Sequence, residues 1–193
     1  MASEAPIRAP RSDARENRRR VLLAARECFA ESLDAQMQDI ARRAGVGVGT
    51  VYRHFANKQA LQVALALDCI GEMREYATEG LDAGDPWQGL EQFVWASTEK
   101  LSADALSVRA LDGTAESAEV KRGAADLSDV IVELVERALA SGAVRPDLTA
   151  QQVETILRHT AGAVRGAQQS GFDWRAYVQV VLDGLRAPAD RRS

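Results

Sequence analysis

Apolar residues in this chain recur every three or four positions, segment after segment, and almost nowhere alternate with polar ones. That period belongs to helices that pack by one face, and strands need alternation instead. Val21, Leu22, Ala25, Cys28 and Phe29 make the first such stripe, in a helix expected from about Asp13 to Glu31. Met37, Ile40, Ala41 and Ala44 make a second over Gln36 to Ala44, and Gly45 follows as a stop. A third, short segment runs from Gly47 or Val48 to His54. The fourth begins at Asn57, a good N-cap, with Ala56 and Leu61 placed as a hydrophobic staple, and continues to about Thr78.

Later helix starts carry side chains suited to the unpaired N–H groups of a first turn. Asp85-Pro86-Trp87-Gln88 combines a cap, a first-turn proline and a glutamine three residues on. Thr149 and Gln152 form a capping box, stapled by Leu148 and Val153, and Asp173 caps the last helix with Phe172 and Tyr177 around it. Ser141-Gly142 closes the preceding long helix, and Pro146 keeps the connection short. The expectation is an all-α fold of about nine helices without repeats.

The composition narrows the function. No apolar run approaches the roughly 20 residues that cross a bilayer, and the N-terminal MASEAPIRAPRSDA lacks the apolar core of a signal peptide. A cytoplasmic protein without a membrane partner is expected. Cys28 and Cys69 show no metal or disulfide spacing, and only His54 and His159 could serve as catalytic histidines. No Ser/His/Asp or metal constellation is present, so no enzyme, cofactor, catalytic residue or metal site is expected. Of the 24 Lys and Arg and the 28 Asp and Glu, residues 1–60 hold 11 and 7, leaving 13 and 21 for the remainder. A basic first third on an acidic body suggests that one end meets a polyanion.

The stretch AGVGVGTVYRHFANK, Ala44 to Lys58, shows how. A phosphate-cradling nucleotide loop needs a preceding strand and GxGxxG or GxxxxGK[ST] spacing. Here the spacing is GxGxG and the preceding segment, IARRA, is helical. Two short amphipathic segments separated by a glycine-containing turn fit a helix-turn-helix instead. Ile40, Ala41, Ala44, Val46, Val51 and Phe55 would form its core, leaving Gln38, Arg42, Thr50, Arg53 and His54 facing outward together. Gly47 and Gly49 would let the backbone come close to DNA phosphates at the start of the second helix.

IARRAGVGVGTVYRHFANKQAL resembles the DNA-binding signature of the TetR family of bacterial transcriptional regulators. The family's pattern Gly-Thr-hydrophobic-Tyr-x-His-Phe-x-x-Lys reads here Gly49-Thr50-Val51-Tyr52-Arg53-His54-Phe55-Ala56-Asn57-Lys58. The resemblance implies that Thr50, Tyr52, His54 and Lys58 contact the DNA backbone, and that Gln38, Val48, Thr50 and Arg53 lie nearest the bases. Two departures stand out: Gln36 occupies the place of a usual threonine, able to donate to a phosphate, and Gly47 that of a usual serine. The organisation implied is a disordered basic tail at 1–12, a three-helix DNA-binding domain at 13–57, a helical effector-binding and dimerisation domain at 58–187, and a disordered tail at 188–193.

So few base-reading side chains cannot give a regulator its specificity from one half-site. A good bidentate contact discriminates by about 1–3 kcal/mol, which argues for a homodimer on a near-palindrome with recognition helices about 34–36 Å apart or at a compatible longer spacing. The last two helices are the expected interface, through Val153, Leu157, Ala161, Val164, Val178, Val181, Leu182 and Leu185. An effector pocket for an unnamed small molecule is expected in the body, with Met73, Phe93, Trp95 and His159 as lining residues. The function expected is a repressor released from its operator by that effector; the alternative is an architectural or division-linked DNA binder that uses the same motif.

Overall fold

The computed structural model describes residues 10–32, 34–103, 113–167 and 171–188. Among them are eight named helices and one isolated antiparallel bridge, Val144 to Arg186. The chain divides into two compact units, Met1–Leu65 and Ala66–Ser193. The expected count of about nine is close to this; residues 104–112 lie outside the described residues, as do 1–9 and 189–193 of the expected tails.

In the first unit, α1 spans Pro10–Glu31, α2 Met37–Ala44 and α3 Val48–His54, and α4 begins at Lys58. Helix α1 starts three residues before the expected Asp13, at Pro10, where a missing N–H costs nothing and a fixed φ is already helical. Residues 10–12 are therefore helix rather than tail. Val21, Ala25, Phe29, Ile40, Ala44, Val51, Phe55, Leu61 and Leu65 are all buried, whereas Val46 is half-buried. Leu61 and Leu65 join this core, so the unit extends two turns into α4, past the boundary read at Asn57. Arg43 forks onto Glu31 with two bonds of 2.8 Å, tying α2 to α1, and the guanidinium holds the Glu31 carboxyl below its ordinary pKa.

In the second unit, α4 continues to Asp82, followed by α5 Pro86–Ala103, α6 Ala118–Ala140, α7 Ala150–Ala167 and α8 Trp174–Leu185. Every expected cap is made: Asp85 Oδ1 accepts from Trp87 N and Gln88 N, Thr149 and Gln152 exchange bonds, and Asp173 accepts from Arg175 N and Ala176 N. Helix α4 runs four residues beyond the expected Thr78 because Gly80 packs against Gly89 of α5. A Cβ on Gly89 would stand 2.1 Å from the Gly80 carbonyl oxygen, so glycine is there for close approach and not to end the helix. Arg137 closes the C-terminal end of α4 by donating to the carbonyls of Leu81 and Ala83. Helix α5 packs on α6, α7 and α8, α6 packs on α7, and α7 on α8, around Leu90, Leu134, Val153, Val164 and Leu182. The chain after α8 is pinned by Arg145 N to Leu185 O at 3.0 Å and Ala187 N to Ala143 O at 2.8 Å.

Candidate functional site

The turn between α2 and α3 is set by Gly45. Its φ of +64° places it in the left-handed region, and Val46 N donates to Ala41 O at 3.1 Å, which closes α2. Gly45 is thus required by the backbone. Gly47 and Gly49 are not: neither has positive φ, and a Cβ on either would meet nothing within 4 Å. Glycine is disfavoured inside a helix, yet Gly49 stands in α3 with open space beside it.

Around these glycines the surface is unusual for the outside of a protein. Val48 and Tyr52, one turn apart on α3, are exposed, Tyr52 by 51%. Arg53, Gln38 and Arg42 are exposed beside them, with Thr50 and His54 half-buried. Arg42 reaches Asp39 at 2.7 Å and keeps most of its side chain in solvent. Asn57 Oδ1 accepts from Ala60 N at 2.8 Å, capping α4, and the half-buried Lys58 ammonium sits 5.5 Å from the Phe29 ring centre. The structure therefore brings Gln38, Arg42, Gly47, Val48, Gly49, Thr50, Tyr52, Arg53, His54 and Lys58 onto one motif. Gln36 differs in one respect: its side-chain amide donates to the Asp34 carbonyl at 2.6 Å, and its backbone N–H to Asp39, so it shapes the start of α2. Arg20 was missed by sequence reasoning. It donates across 24 residues to the Ala44 carbonyl, a partner that no local pattern reveals.

In the second unit a cavity of about 450 Å³ opens among α4, α5, α6 and α7. Its walls are mostly apolar, with Ile70, Met73, Phe93, Leu101, Leu127 and Leu157 among them, a size and character that suit a small molecule. Met73 and Phe93 line it as the sequence suggested. Trp95 and His159 do not: Trp95 meets Trp174 with the rings tilted by 55° and their centres 6.3 Å apart, and His159 is exposed. Helical spacing explains both misses, since neighbours on the chain point to different faces of one helix. Cys69 is buried, and burial pushes the Cys28 thiol pKa up, which disfavours the reactive thiolate.

The residues expected at a dimer interface divide by their burial in the single chain. Val153, Leu157, Val164, Val178, Leu182 and Leu185 are buried within the chain itself, and Ala161 and Val181 are half-buried. The most apolar stripe of a helix goes to its own core. The stripe left outward carries His159 and Ala163, with the half-buried Gly162 between them, on α7 and Ala176, Val180 and Gly184 on α8, with Val180 exposed by 69%.

A compact helix-turn-helix unit joined to a helical unit with an apolar cavity defines a DNA-binding transcriptional regulator. Residues 21–65 match the family described as bacterial regulatory proteins, tetR family, and residues 85–187 the domain described as transcriptional regulator SbtR-like, C-terminal domain. The chain belongs to the TetR family. It is 34% identical to a TetR transcription regulatory protein from Mycobacterium vanbaalenii, covering 93% of this chain and 100% of that one with a TM-score of 0.69. It is 29% identical to the HTH-type transcriptional repressor KstR2 of Rhodococcus jostii over 169 residues, 79% of this chain and 81% of that protein. The fold is also that of the fatty acid degradation regulator FadR from Bacillus halodurans, with 21% identity, coverage of 92% and 95%, and a TM-score of 0.73. Among the described residues no helix is long and apolar enough to cross a membrane.

Proposed function

We propose that the protein is a dimeric repressor that binds a near-palindromic operator and leaves it when a small molecule enters the second unit. The observation that carries the DNA half is the pair Gly47 and Gly49. The fold asks for neither, by conformation or by space, and both sit beside exposed Val48, Tyr52 and Arg53. A backbone kept bare next to exposed apolar and cationic side chains suits the close approach of a phosphodiester chain and base edges. Tyr52, Thr50, His54 and Lys58 serve the phosphates in this reading, and Arg53, Gln38 and Val48 the bases.

The ligand half rests on the apolar cavity and on α4. That helix supplies Ile70 and Met73 to the cavity and Lys58 to the DNA motif. A ligand that shifts α4 changes the separation of the two recognition helices in the dimer, and coupling of this kind is typically 1–3 kcal/mol. The dimer forms on the outward stripe of α7 and α8 centred on Val180. The similar KstR2 is named a repressor, which supports the direction of control. The test is a gel shift of DNA flanking the protein's own gene at low and moderate salt. Sequence-specific retardation is expected, and retardation no stronger than that of random DNA sinks the reading.

A further inference from the structure

The polar atoms of the cavity wall can be accounted for one by one. Thr98 Oγ1 donates to the Val94 carbonyl at 2.7 Å and Thr160 Oγ1 to the Ile156 carbonyl at 2.9 Å. Lys121 is held by Glu116 at 2.7 Å, and Arg165 has a partner of its own. Ser128 Oγ donates to Glu154 Oε1 at 3.2 Å, while Gln151 Nε2 and Arg158 Nη2 both reach Oε2 at 3.3 Å. What remains is Ser97 Oγ on α5, only 7% exposed and without any hydrogen-bond partner. A buried hydroxyl left unpaired costs about 1–3 kcal/mol, so its persistence on a cavity wall points to a partner from outside the chain.

Glu154 narrows the chemistry of that partner. It is 3% exposed, on the helix that packs against α5, and lines the same cavity. A carboxylate offers about four lone-pair sites, and three are occupied. Its free site accepts only from a donor. A ligand carbonyl, ether or carboxylate has no proton to give it, and the cations that could hold a carboxylate are already engaged, Lys121 by Glu116, Arg158 by Glu154 and Arg165 by a partner of its own. An ammonium would find Glu154 already paired with the Arg158 guanidinium and no second carboxylate on the wall to take its charge. A hydroxyl group donates to Glu154 or Ser97, accepts from Ser97, and brings no charge.

We infer that the cavity takes a neutral, largely apolar molecule bearing a hydroxyl group, recognised by Ser97 and Glu154. This rests on the proposed reading of the cavity as the effector site. The test uses the full chain and displacement of a neutral apolar fluorophore, N-phenylnaphthylamine, by decanol, decyl methyl ether, decanoate and decylamine. Decanol is expected to displace it at concentrations about tenfold below the other three, the worth of roughly one satisfied hydrogen bond. Ser97→Ala removes an unpaired group, so it keeps the fold and raises the melting point of the empty protein, yet it shrinks the preference for decanol over its ether to about twofold. Glu154→Gln is expected to do the same to the preference. An ether, acid or amine that equals decanol overturns the inference, as does an undiminished preference in Ser97→Ala. If the wild-type chain does not bind the fluorophore at all, the cavity reading itself fails, and the inference falls with it.

Discussion

The guanidinium of Arg20 donates to the Ala44 carbonyl at 2.6 Å and to the Gly45 carbonyl at 3.3 Å, so the first helix ties down the end of the second. The last carbonyls of α2 have no partner within the helix, and a cation there also opposes the negative end of its dipole. Arg20→Ala should lose about 1 kcal/mol, at the low end for a bond to a charged group because the side chain is largely in solvent. In a chain of this size that lowers the melting temperature by about 2–4 °C. Thermal unfolding checks it, and an unchanged midpoint shows that the bond contributes nothing in solution.

Two glycines of the motif, Gly45 and Gly49, should separate by sign. Gly45→Ala forces a Cβ into the left-handed region, at about 1–2 kcal/mol, and sets it 2.7 Å from Arg20 Nη2. Gly49→Ala sits inside α3 with open space around it, so it should stabilise the protein by about 0.5–1 kcal/mol. The same methyl group would stand between the backbone and DNA, and operator affinity should fall about tenfold or more, a loss of roughly 1.4 kcal/mol. Denaturant melts paired with gel shifts measure both. A Gly49→Ala protein that is more stable and binds DNA as well as the wild type would refute the close approach.

Arg53 and Lys58 should fail in different ways. Arg53 is exposed on α3, among the groups facing the bases in this reading. Arg53→Ala should cost about 1–3 kcal/mol on the operator and little on random DNA. Lys58 lies at the start of α4, where a phosphate is the natural counter-charge. Lys58→Ala should weaken every sequence alike and reduce the slope of log affinity against log salt by about one. Salt titrations on specific and random DNA decide, and equal losses on both from each change would contradict the division of roles.

The helices were legible because their causes are local. Asp85, Thr149 and Asp173 cap the helices they were expected to cap, and Gly45 ends α2 where its position said it would. The DNA motif was legible because its spacing is fixed within fifteen residues of chain. What could not be read depends on which face of a helix meets which neighbour. His159 carries no local mark that it points to solvent rather than into the cavity, and nothing local shows that Gly80 will meet Gly89. Ser97 and Glu154 were invisible for the same reason: serine is an ordinary helix residue, and Glu154 reads as surface until the fold buries it.

The stripe proposed for dimerisation yields the sharpest contrast between two positions on one helix. Leu182 is fully buried, and Leu182→Ala should cost about 2–5 kcal/mol of stability through the cavity it leaves. Val180 is mostly exposed in the single chain and lies between Ala176 and Gly184 on the outward face. Small residues on either side let a second helix come close, and Val180 would then be an apolar contact at the centre. Val180→Glu places a charge there, opposite its own symmetry mate in a two-fold interface. It should dissociate the dimer while the helical content of the chain is retained. Because the proposed dimer reads two half-sites together, operator affinity should drop at least a hundredfold, about 2.7 kcal/mol. Sedimentation and gel shift on the same preparations test this, and a Val180→Glu protein that remains dimeric would move the interface off this face.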